Sequence, residues 1–430
     1  MIPIIKADNK TELALIKQLK QRAGEVDAKV TVSVTDILNN VKTRGDEALC
    51  EYSLAFDKCK YEKKCVTSEE LDAAYKSCDR EFIKALENAH KNIYDYHLKQ
   101  KRQSFVEHKE NGVILGQKIT GLIKVGVYVP GGTAAYPSSV LMNVIPAKIA
   151  GVKEITMITP PQKDGSKNKN ILAAAKIAGV DKVYLIGGAH GIAALAYGTQ
   201  SIEKVDKIVG PGNIYVATAK KLLFGIVDID MVAGPSEILI IADESANPKY
   251  LAADLMSQAE HDVLASSILL TTSQQIADQT VKELYKQIET LERKDIINKS
   301  LDNYGAVIVC KDIKQAVDYA NQLAPEHLEV CVENPLEYIG KLDTAGSIFL
   351  GNYSPEPLGD YYAGPNHVLP TSGTARFFSP LGVDSFVKKS SFIYYTKQAL
   401  SESKSDIICL AEHEGLTAHA NSIKVRGEKQ

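Results

Sequence analysis

The chain has 430 residues, 45% hydrophobic and 24% charged, a composition that excludes a disordered chain and fits a globular protein of two or three domains. A formal net charge of −3 argues against a nucleic-acid partner, and the absence of roughly 20 consecutive apolar residues argues against a membrane protein. Seven scattered cysteines without a C-x-x-C pair predict neither a disulfide framework nor a zinc finger. Together with the net charge and the absence of a long apolar run, this leads us to expect a cytoplasmic protein that acts on small molecules.

The first 110 residues combine many lysines and glutamates with apolar residues at helical spacing. We therefore expect a largely helical opening whose charges lie on solvated faces. The stretches with this spacing are ALIKQLKQRA, VTDILNNVKTRGDEALCEYS and EFIKALENAHKNIYDYHLKQKR.

From about residue 121 the pattern changes to short apolar runs bounded by glycine, proline and aspartate, which predict buried strands. Amphipathic stretches such as NILAAAKIAGV lie between these runs, and alternation of strand and helix is typical of a parallel, doubly wound sheet. The length accommodates two such sheets, so we predict an α/β fold. The predicted strands are VGVYV, EITMITP, KVYLIGG, DKIVGPGN, EILIIAD, SSILLTT and AVIVC.

A long run of glycine, proline, serine and asparagine begins at Gly351, and the tail from 381 to 430 predicts helices again. Long irregular segments in compact domains are usually functional or disordered. Asp360, Tyr361 and His367 in this run favour a functional segment.

A candidate metal site begins on the helix that contains MSQAEHD. Asn247 and Pro248 are typical of a helix start, and Gln258 and His261, three residues apart, share one face. An amide oxygen beside an imidazole nitrogen suits catalytic zinc. The alternative is a capped helix in which His261 makes an ordinary hydrogen bond in the core.

Further ligands must come from distant segments. Asp360 offers a carboxylate and His419 an imidazole, and together with the first pair they make a four-ligand shell without thiolate. Taken singly, Asp360 is more typical of a turn residue and His419 of a surface or helix-packing residue.

The dipeptide Glu326-His327 follows Pro325, which favours the start of an element beside a cleft. Adjacent carboxyl and imidazole groups have general acid/base capacity. The alternative places Glu326 in the first turn of a helix, where its charge interacts favourably with the helix dipole.

Three glycine-bearing turns follow predicted strands, at residues 130–132, 187–191 and 210–213, and each lets backbone approach a ligand closely. None is a complete G-x-G-x-x-G, because Ile186 stands at the first glycine position and no acidic residue ends the next strand. The chain also lacks a P-loop motif, so ordinary strand-to-helix turns remain an open alternative.

Taken together, these segments resemble the histidinol dehydrogenase family over nearly the whole chain. The resemblance rests on VGVYVPGGTAAYPSSVLMNVIPAKIAGV, DKIVGPGNIYVATAKKLLFGIVDIDMVAGPSEILIIADESANPKYLAADLMSQAEHD, LAPEHLE, LGDYYAGPNHVLPTSGTARF and EHEGLTAHANSIKVR, with RGDEAL in agreement. It implies two incomplete Rossmann-like domains, an intertwined homodimer and one Zn²⁺ per active site.

The same resemblance implies how the chain is divided. The implied parts are an N-terminal helical segment at 1–24, a first Rossmann-like domain at 25–124 and 236–380 with most of the zinc and substrate site, a second, NAD-binding domain at 125–235, and a C-terminal helical segment at 381–430 exchanged across the dimer.

Roles follow from matching positions in the family. The zinc ligands would be Gln258, His261 and Asp360 with His419 of the partner subunit. Glu326 and His327 match the acid/base pair. The positions that match contacts to L-histidinol are Ser236, His367 and Glu414, together with His327 and the zinc ligands, and those that match contacts to NAD⁺ are Tyr128, His190 and Asn213.

One departure lies in the cofactor contacts, where the family usually has glutamine in GGAQA and this chain has His190 and Gly191. The implied reaction is two hydride transfers to two NAD⁺ molecules, from alcohol to aldehyde to acid. His327 would be the base, Glu326 would activate water for the second oxidation, and zinc would hold the substrate.

Two other function classes remain as alternatives. In a zinc-dependent hydrolase, Glu326 or Glu414 would activate metal-bound water and the glycine turns would be structural. In a silent relative that serves as an interaction module, the candidate ligands and acid/base residues would have decayed, and here they are intact.

Overall fold

The computed structural model describes residues 2–8, 10–21, 28–131 and 136–427. Its first hundred residues are mainly helical, as predicted, although a short strand precedes the first helix inside the segment expected to be helical. The elements there are β1 (Ile4–Lys6), α1 (Thr11–Gln21), α2 (Ala28–Arg44), α3 (Asp46–Tyr52), a π-helical turn (Ser53–Asp57), α4 (Ser68–Ser77) and α5 (Arg80–Leu98).

A five-stranded parallel sheet occupies the middle of the chain. Its strand order, β6-β5-β4-β7-β8, is 3-2-1-4-5 in order of appearance, the order found in dinucleotide-binding sheets. The elements are β4 (Lys124–Tyr128), α6 (Pro137–Ala150), β5 (Glu154–Thr159), α7 (Lys169–Ala178), β6 (Lys182–Leu185), α8 (Gly188–Tyr197), β7 (Lys207–Val209), α9 (Ile214–Leu223) and β8 (Asp228–Ile229).

A six-stranded parallel sheet follows and repeats this order. Its strands run β1-β11-β10-β9-β12-β13, so the same 3-2-1-4-5 arrangement is extended by β1 at one edge. The elements are β9 (Glu237–Ala242), α10 (Pro248–Ala259), β10 (Ser266–Thr271), α11 (Gln274–Gln287), α12 (Lys294–Tyr304), β11 (Gly305–Val309), α13 (Ile313–Leu323), β12 (His327–Cys331) and β13 (Ser347–Leu350).

Both parallel sheets are covered on both faces, which explains their nearly continuous apolar strands. The seven predicted strands all form, and the two doubly wound sheets confirm the predicted fold class. Strands β12 and β13 were not predicted. Only 3₁₀ turns at Pro335–Lys341 connect them in place of a crossover α-helix, so this sheet is an incomplete version of the doubly wound arrangement.

The helices of segment 25–124 pack differently from the expected division of the chain. Val34 of α2 shares a core with Tyr128, and Ile93 of α5 shares a core with Val125, so these helices cover the five-stranded sheet. The expectation joined this segment to the six-stranded sheet. Burial of the amphipathic helices against the nearer sheet is the physical reason for the difference.

The end of the chain is less covered than the two sheets. A three-stranded antiparallel sheet, ordered β14-β3-β2, contains a strand within the segment expected to be helical, and two exposed helices follow it. No helix in the described part of the chain is long and apolar enough to cross a membrane. The remaining elements are β2 (Phe105–His108), β3 (Ile114–Gly121), α14 (Glu356–Tyr361), β14 (Val387–Tyr394), α15 (Lys397–His413) and α16 (Thr417–Lys424).

Candidate active site

A cavity of about 330 Å³ lies where the two parallel sheets meet. The five-stranded sheet presents its carboxyl edge there, through Pro130 and Gly210, which follow β4 and β7. The six-stranded sheet presents its amino edge, through Ser236 and Glu326, which precede β9 and β12. Ligands of doubly wound sheets usually bind at carboxyl edges, so only the first sheet follows that rule here.

Eight of the predicted site residues border this cavity, although they come from widely separated parts of the sequence. They are Asn213, Ser236, Gln258, His261, Glu326, His327, Asp360 and His367.

Helix α10 carries Gln258 but ends at Ala259, so His261 lies in the turn after the helix and not on the helix itself, contrary to the prediction. The start of the helix is capped as predicted, because the Asn247 side chain accepts the Lys249 N–H at 3.0 Å. Gln258 lies in the last turn, and the His261 N–H donates to its carbonyl oxygen at 3.2 Å. The Gln258 side chain is buried, and its Oε1 has no hydrogen-bond partner in the described chain. An acceptor left in this state is unusual and marks a place for a ligand.

The tautomer of His327 follows from its hydrogen bond. Nδ1 lies 3.0 Å from the Glu237 carbonyl oxygen, which only accepts, so Nδ1 carries the proton and Nε2 is free. Nε2 is buried, has no hydrogen-bond partner among the described residues and lies 3.9 Å from Asp360 Oδ1. Burial lowers the pKa of His327 to about 4, so the ring is neutral at pH 7. His327 therefore has a neutral ring whose Nε2 carries no proton and can accept one.

Glu326 precedes strand β12, so the alternative that placed it in the first turn of a helix is wrong. Its Oε2 accepts the Glu237 N–H at 2.9 Å and lies 3.6 Å from His327 Nδ1. Burial holds its pKa well above the ordinary range of a carboxyl, with the charges of Glu237 and Asp360 adding to the effect. A carboxyl with a raised pKa beside a neutral imidazole is an arrangement suited to acid/base chemistry.

The run after Gly351 is ordered around the cavity and includes the short helix α14. Asp360 lies near the end of this helix. The His367 ring donates from Nδ1 to the Asp360 carbonyl oxygen at 2.9 Å and accepts the Ser139 hydroxyl at Nε2, 3.2 Å away. Both ring nitrogens of His367 are therefore used within the chain, and the residue fixes the backbone at Asp360.

Sequence reasoning missed Glu356, which lies four residues before Asp360 on α14. Its Oε1 is buried, finds no hydrogen-bond partner in the part of the chain that the structure describes, and lies 3.8 Å from His327 Nε2. Ligand atoms of His327, Glu356 and Asp360 fall within 4.8 Å of one another, a spacing that can hold a cation. Burial and the neighbouring Asp360 raise the pKa of Glu356 to about 10. This residue was not identified from the sequence, because the prolines on either side of it predict a loop.

A second cavity of about 710 Å³ lies along the carboxyl edge of the five-stranded sheet. Tyr128 and His190 border it and do not border the first cavity, whereas Asn213 borders both. Described residues of all three predicted glycine turns reach this edge, through Gly131, Gly188 and Asn213, while Gly132 of the first turn lies outside the described residues. Gly210 has a φ of +112°, and a Cβ there would lie 2.0 Å from the Tyr128 carbonyl oxygen, so the close packing of β7 on β4 requires glycine.

Comparison with known proteins settles the family. A sequence profile described as "Histidinol dehydrogenase" matches residues 20–427. The chain belongs to the histidinol dehydrogenase family. A histidinol dehydrogenase of Clostridium acetobutylicum is 59% identical over 410 residues, 95% of each chain, and one of Listeria monocytogenes is 54% identical over 426 residues, 99% of this chain and 96% of its own. The crystal structure of histidinol dehydrogenase from Elizabethkingia anophelis matches at 40% identity with a TM-score of 0.93, covering 99% of this chain and 98% of that one.

Two residues predicted from the resemblance to histidinol dehydrogenases are not brought to the cavity within one chain. Glu414 follows α15 and His419 lies on α16, and both side chains are exposed. Neither borders the two cavities described above. If these residues serve the site, they reach it from another subunit.

A buried ion pair that was not predicted from the sequence supports the glycine turn at Gly210, between the two cavities. Lys220 pairs with Asp230 and donates to the Gly210 carbonyl oxygen at 2.9 Å, while the Gly210 N–H donates to Asp230 Oδ2 at 2.8 Å. Both side chains are almost fully buried. The pair therefore holds Gly210 through both of its backbone polar groups.

Proposed function

We propose that this chain catalyses the NAD-dependent oxidation of L-histidinol through L-histidinal to L-histidine, the last step of histidine biosynthesis. The observation that carries the proposal is the buried Nε2 of His327, which has no hydrogen-bond partner among the described residues and lies beside Glu326 in a cavity that shares Asn213 with a second cavity. Reduced nicotinamide should form when protein, histidinol and NAD⁺ are mixed. A zinc hydrolase, the competing class, would form none.

The chain's own groups divide the proton chemistry. Each oxidation removes one hydride and one proton from the substrate, and His327 Nε2 accepts the proton. The second oxidation also needs water, from which Glu326 removes a proton as the water adds to the aldehyde carbon. NAD⁺ supplies the hydride acceptor when bound.

The cavity at the carboxyl edge of the five-stranded sheet is the place we assign to NAD⁺, within the NAD-binding domain at 125–235. Support comes from the 3-2-1-4-5 strand order and from Tyr128 and His190 on its wall. Asn213 Oδ1 caps α9 by accepting the N–H groups of Tyr215 and Val216, at 3.1 and 3.2 Å. Its amide NH₂ is then available to donate to the cofactor.

The donor set fits one zinc ion per subunit. Gln258 Oε1 is a buried oxygen with no hydrogen-bond partner among the described residues, and His261 and Asp360 border the same cavity. We assign these three side chains, with His419 of the partner subunit, as the ligands. Zinc would hold the imidazole and amino nitrogens of histidinol, and Ser236, His367 and Glu414 would complete the substrate site.

A homodimer with shared active sites accounts for the exposed end of the chain. Leu410 and Leu416 in the α15–α16 region are 66% and 42% exposed, and the neighbouring Ile393 of β14 is 72% exposed. Apolar side chains on this scale are usually covered by a partner. Exchange of segment 381–430 would cover them and would bring Glu414 and His419 to the site of the other subunit.

The zinc assignment has a direct test in metal content. We expect His261→Asn to lower the amount of zinc retained after dialysis by at least about tenfold, because one of the assigned zinc ligands is lost. Glu356→Gln should retain one zinc per subunit. Glu260→Gln is the matched control, since Glu260 borders only a neighbouring cavity. Loss of zinc in Glu356→Gln but not in His261→Asn would instead assign the ion to His327, Glu356 and Asp360.

A further inference from the structure

The cofactor cavity lacks an acidic residue where dinucleotide-binding sheets normally place one. In those sheets a carboxylate at the end of the second strand accepts hydrogen bonds from the adenosine ribose. The second strand here is β5, which ends at Thr159 and continues into Pro160 and Pro161. A carboxylate that binds the ribose must therefore come from outside the sheet.

Asp57 places a carboxylate on the wall of the same cavity. It is the last residue of the π-helical turn after α3, and Lys58 follows with a φ of +59°. The Asp57 side chain is 14% exposed, and its buried Oδ2 has no hydrogen-bond partner in the described chain. The carboxylate therefore has an unused acceptor on its buried side, and its exposed part borders the ligand cavity.

His190 lies next to this carboxylate, on the side of its buried oxygen. Its ring is fully buried, its Nε2 lies 3.8 Å from Asp57 Oδ2, and neither ring nitrogen has a hydrogen-bond partner in the described chain. The rings of Tyr52 and Phe56 enclose it, with centroids 5.9 and 5.8 Å away. A small movement lets Nε2–H donate to Asp57, whereas the enclosed ring has little surface left for a ligand.

We propose that Asp57 accepts the two hydroxyls of the adenosine ribose of NAD⁺, and that His190 is a positioning residue that holds the carboxylate. The inference rests on the proposed cofactor site. Asp57 and His190 border only the larger cavity, away from His327, so they face the adenosine half of a cofactor whose nicotinamide reaches the reaction site. Glutamine, the usual residue of the family at this position, also carries an N–H that can donate to Asp57, so we expect histidine here to preserve cofactor binding.

A specificity follows from the charge of Asp57. A phosphate on the 2′-hydroxyl would remove a donor and place negative charge beside the carboxylate, so NADP⁺ is excluded. Lys58 and Lys163 also border the cavity and would favour a phosphate. The Lys58 ammonium is already held by the Ala55 carbonyl oxygen at 2.6 Å, and Lys163 is exposed to solvent, where its attraction is weakened.

Calorimetric titration of the ligand-free protein with NAD⁺, NADP⁺ and ADP-ribose tests the inference. The wild-type protein should bind NAD⁺ at least about tenfold more tightly than NADP⁺, a difference expected from hydrogen bonds to a charged group. Asp57→Asn should lower the affinity for NAD⁺ and for ADP-ribose about equally, and should bring the ratio of the two Kd values near one. His190→Gln should keep the ratio within about twofold, and His190→Leu should lower it toward that of Asp57→Asn.

The control is Asp36→Asn, which removes the same charge from an exposed position on α2, outside the cavity wall. An unchanged ratio in Asp57→Asn would overturn the inference while leaving the NAD⁺ assignment intact. Weaker binding of NAD⁺ but not of ADP-ribose would overturn it as well, by placing Asp57 at the nicotinamide half. Failure of the wild-type protein to bind NAD⁺ would overturn both this inference and the proposed function.

Discussion

Replacement of Glu326 by glutamine is expected to slow the oxidation of histidinal by about 10²–10⁴-fold, the range for loss of a general base, and to leave the oxidation of histidinol nearly unchanged. Only the second step requires an activated water molecule. Glutamine keeps an oxygen that accepts the Glu237 N–H, so the local fold survives. Single-turnover measurements with histidinol and with histidinal separate the two rates.

The dependence on pH gives the same experiment a second readout. Burial raises the pKa of Glu326 above the ordinary range of a carboxyl, so the ionised form that water activation requires becomes populated only at a higher pH than for an exposed glutamate. The histidinal step in the wild-type protein should therefore accelerate as the pH rises, and Glu326→Gln should lose that dependence. Equal slowing of both oxidation steps would contradict the role assigned to Glu326.

Mixed dimers of two inactive variants should recover activity if the active site is shared. His261→Ala removes a ligand from the subunit's own site, and His419→Ala removes one from the site of its partner. A mixed dimer then has one intact site and one that lacks both ligands. With random pairing, half of the dimers are mixed, so activity should return to about one quarter of the wild-type level.

The matched control mixes His261→Ala with Gln258→Ala, which damage the same side of the shared site and should give no recovery. Differently tagged subunits, purified through both tags, establish that mixed dimers are present. Absence of recovery in those purified dimers would mean that His419 serves its own subunit or lies outside the site.

The parallel sheets were predictable because both of their faces are buried. Strands such as β9 are continuous apolar runs that end at glycine, proline or aspartate. In a protein of this composition, such runs indicate buried strands. Strand β12 escaped prediction because Glu329, which is 1% exposed, interrupts its apolar pattern. Strand β14 escaped because seven of its eight residues are exposed, so its burial carries no period of two.

The candidate site was only partly predictable from residue spacing. The three-residue step from Gln258 to His261 predicted two side chains on one face of a helix; both border the cavity, but the helix ends at Ala259 and His261 lies in the turn after it. The approach of Asp360 to His327 depends on packing between distant elements, which no local pattern records. The assignment of NAD⁺ contacts rested on family resemblance, and Asp57 lies in a helical region with no local signal for a cofactor.

The proposed function is a four-electron oxidation carried out by one protein. Its clearest test is the number of NADH molecules formed per histidinol consumed, together with identification of the product. We expect two NADH per histidinol and histidine as the product, with neither formed when NAD⁺ is omitted. One NADH per histidinol with histidinal as the final product, or turnover of histidinol without NAD⁺, would show that the proposed function is wrong.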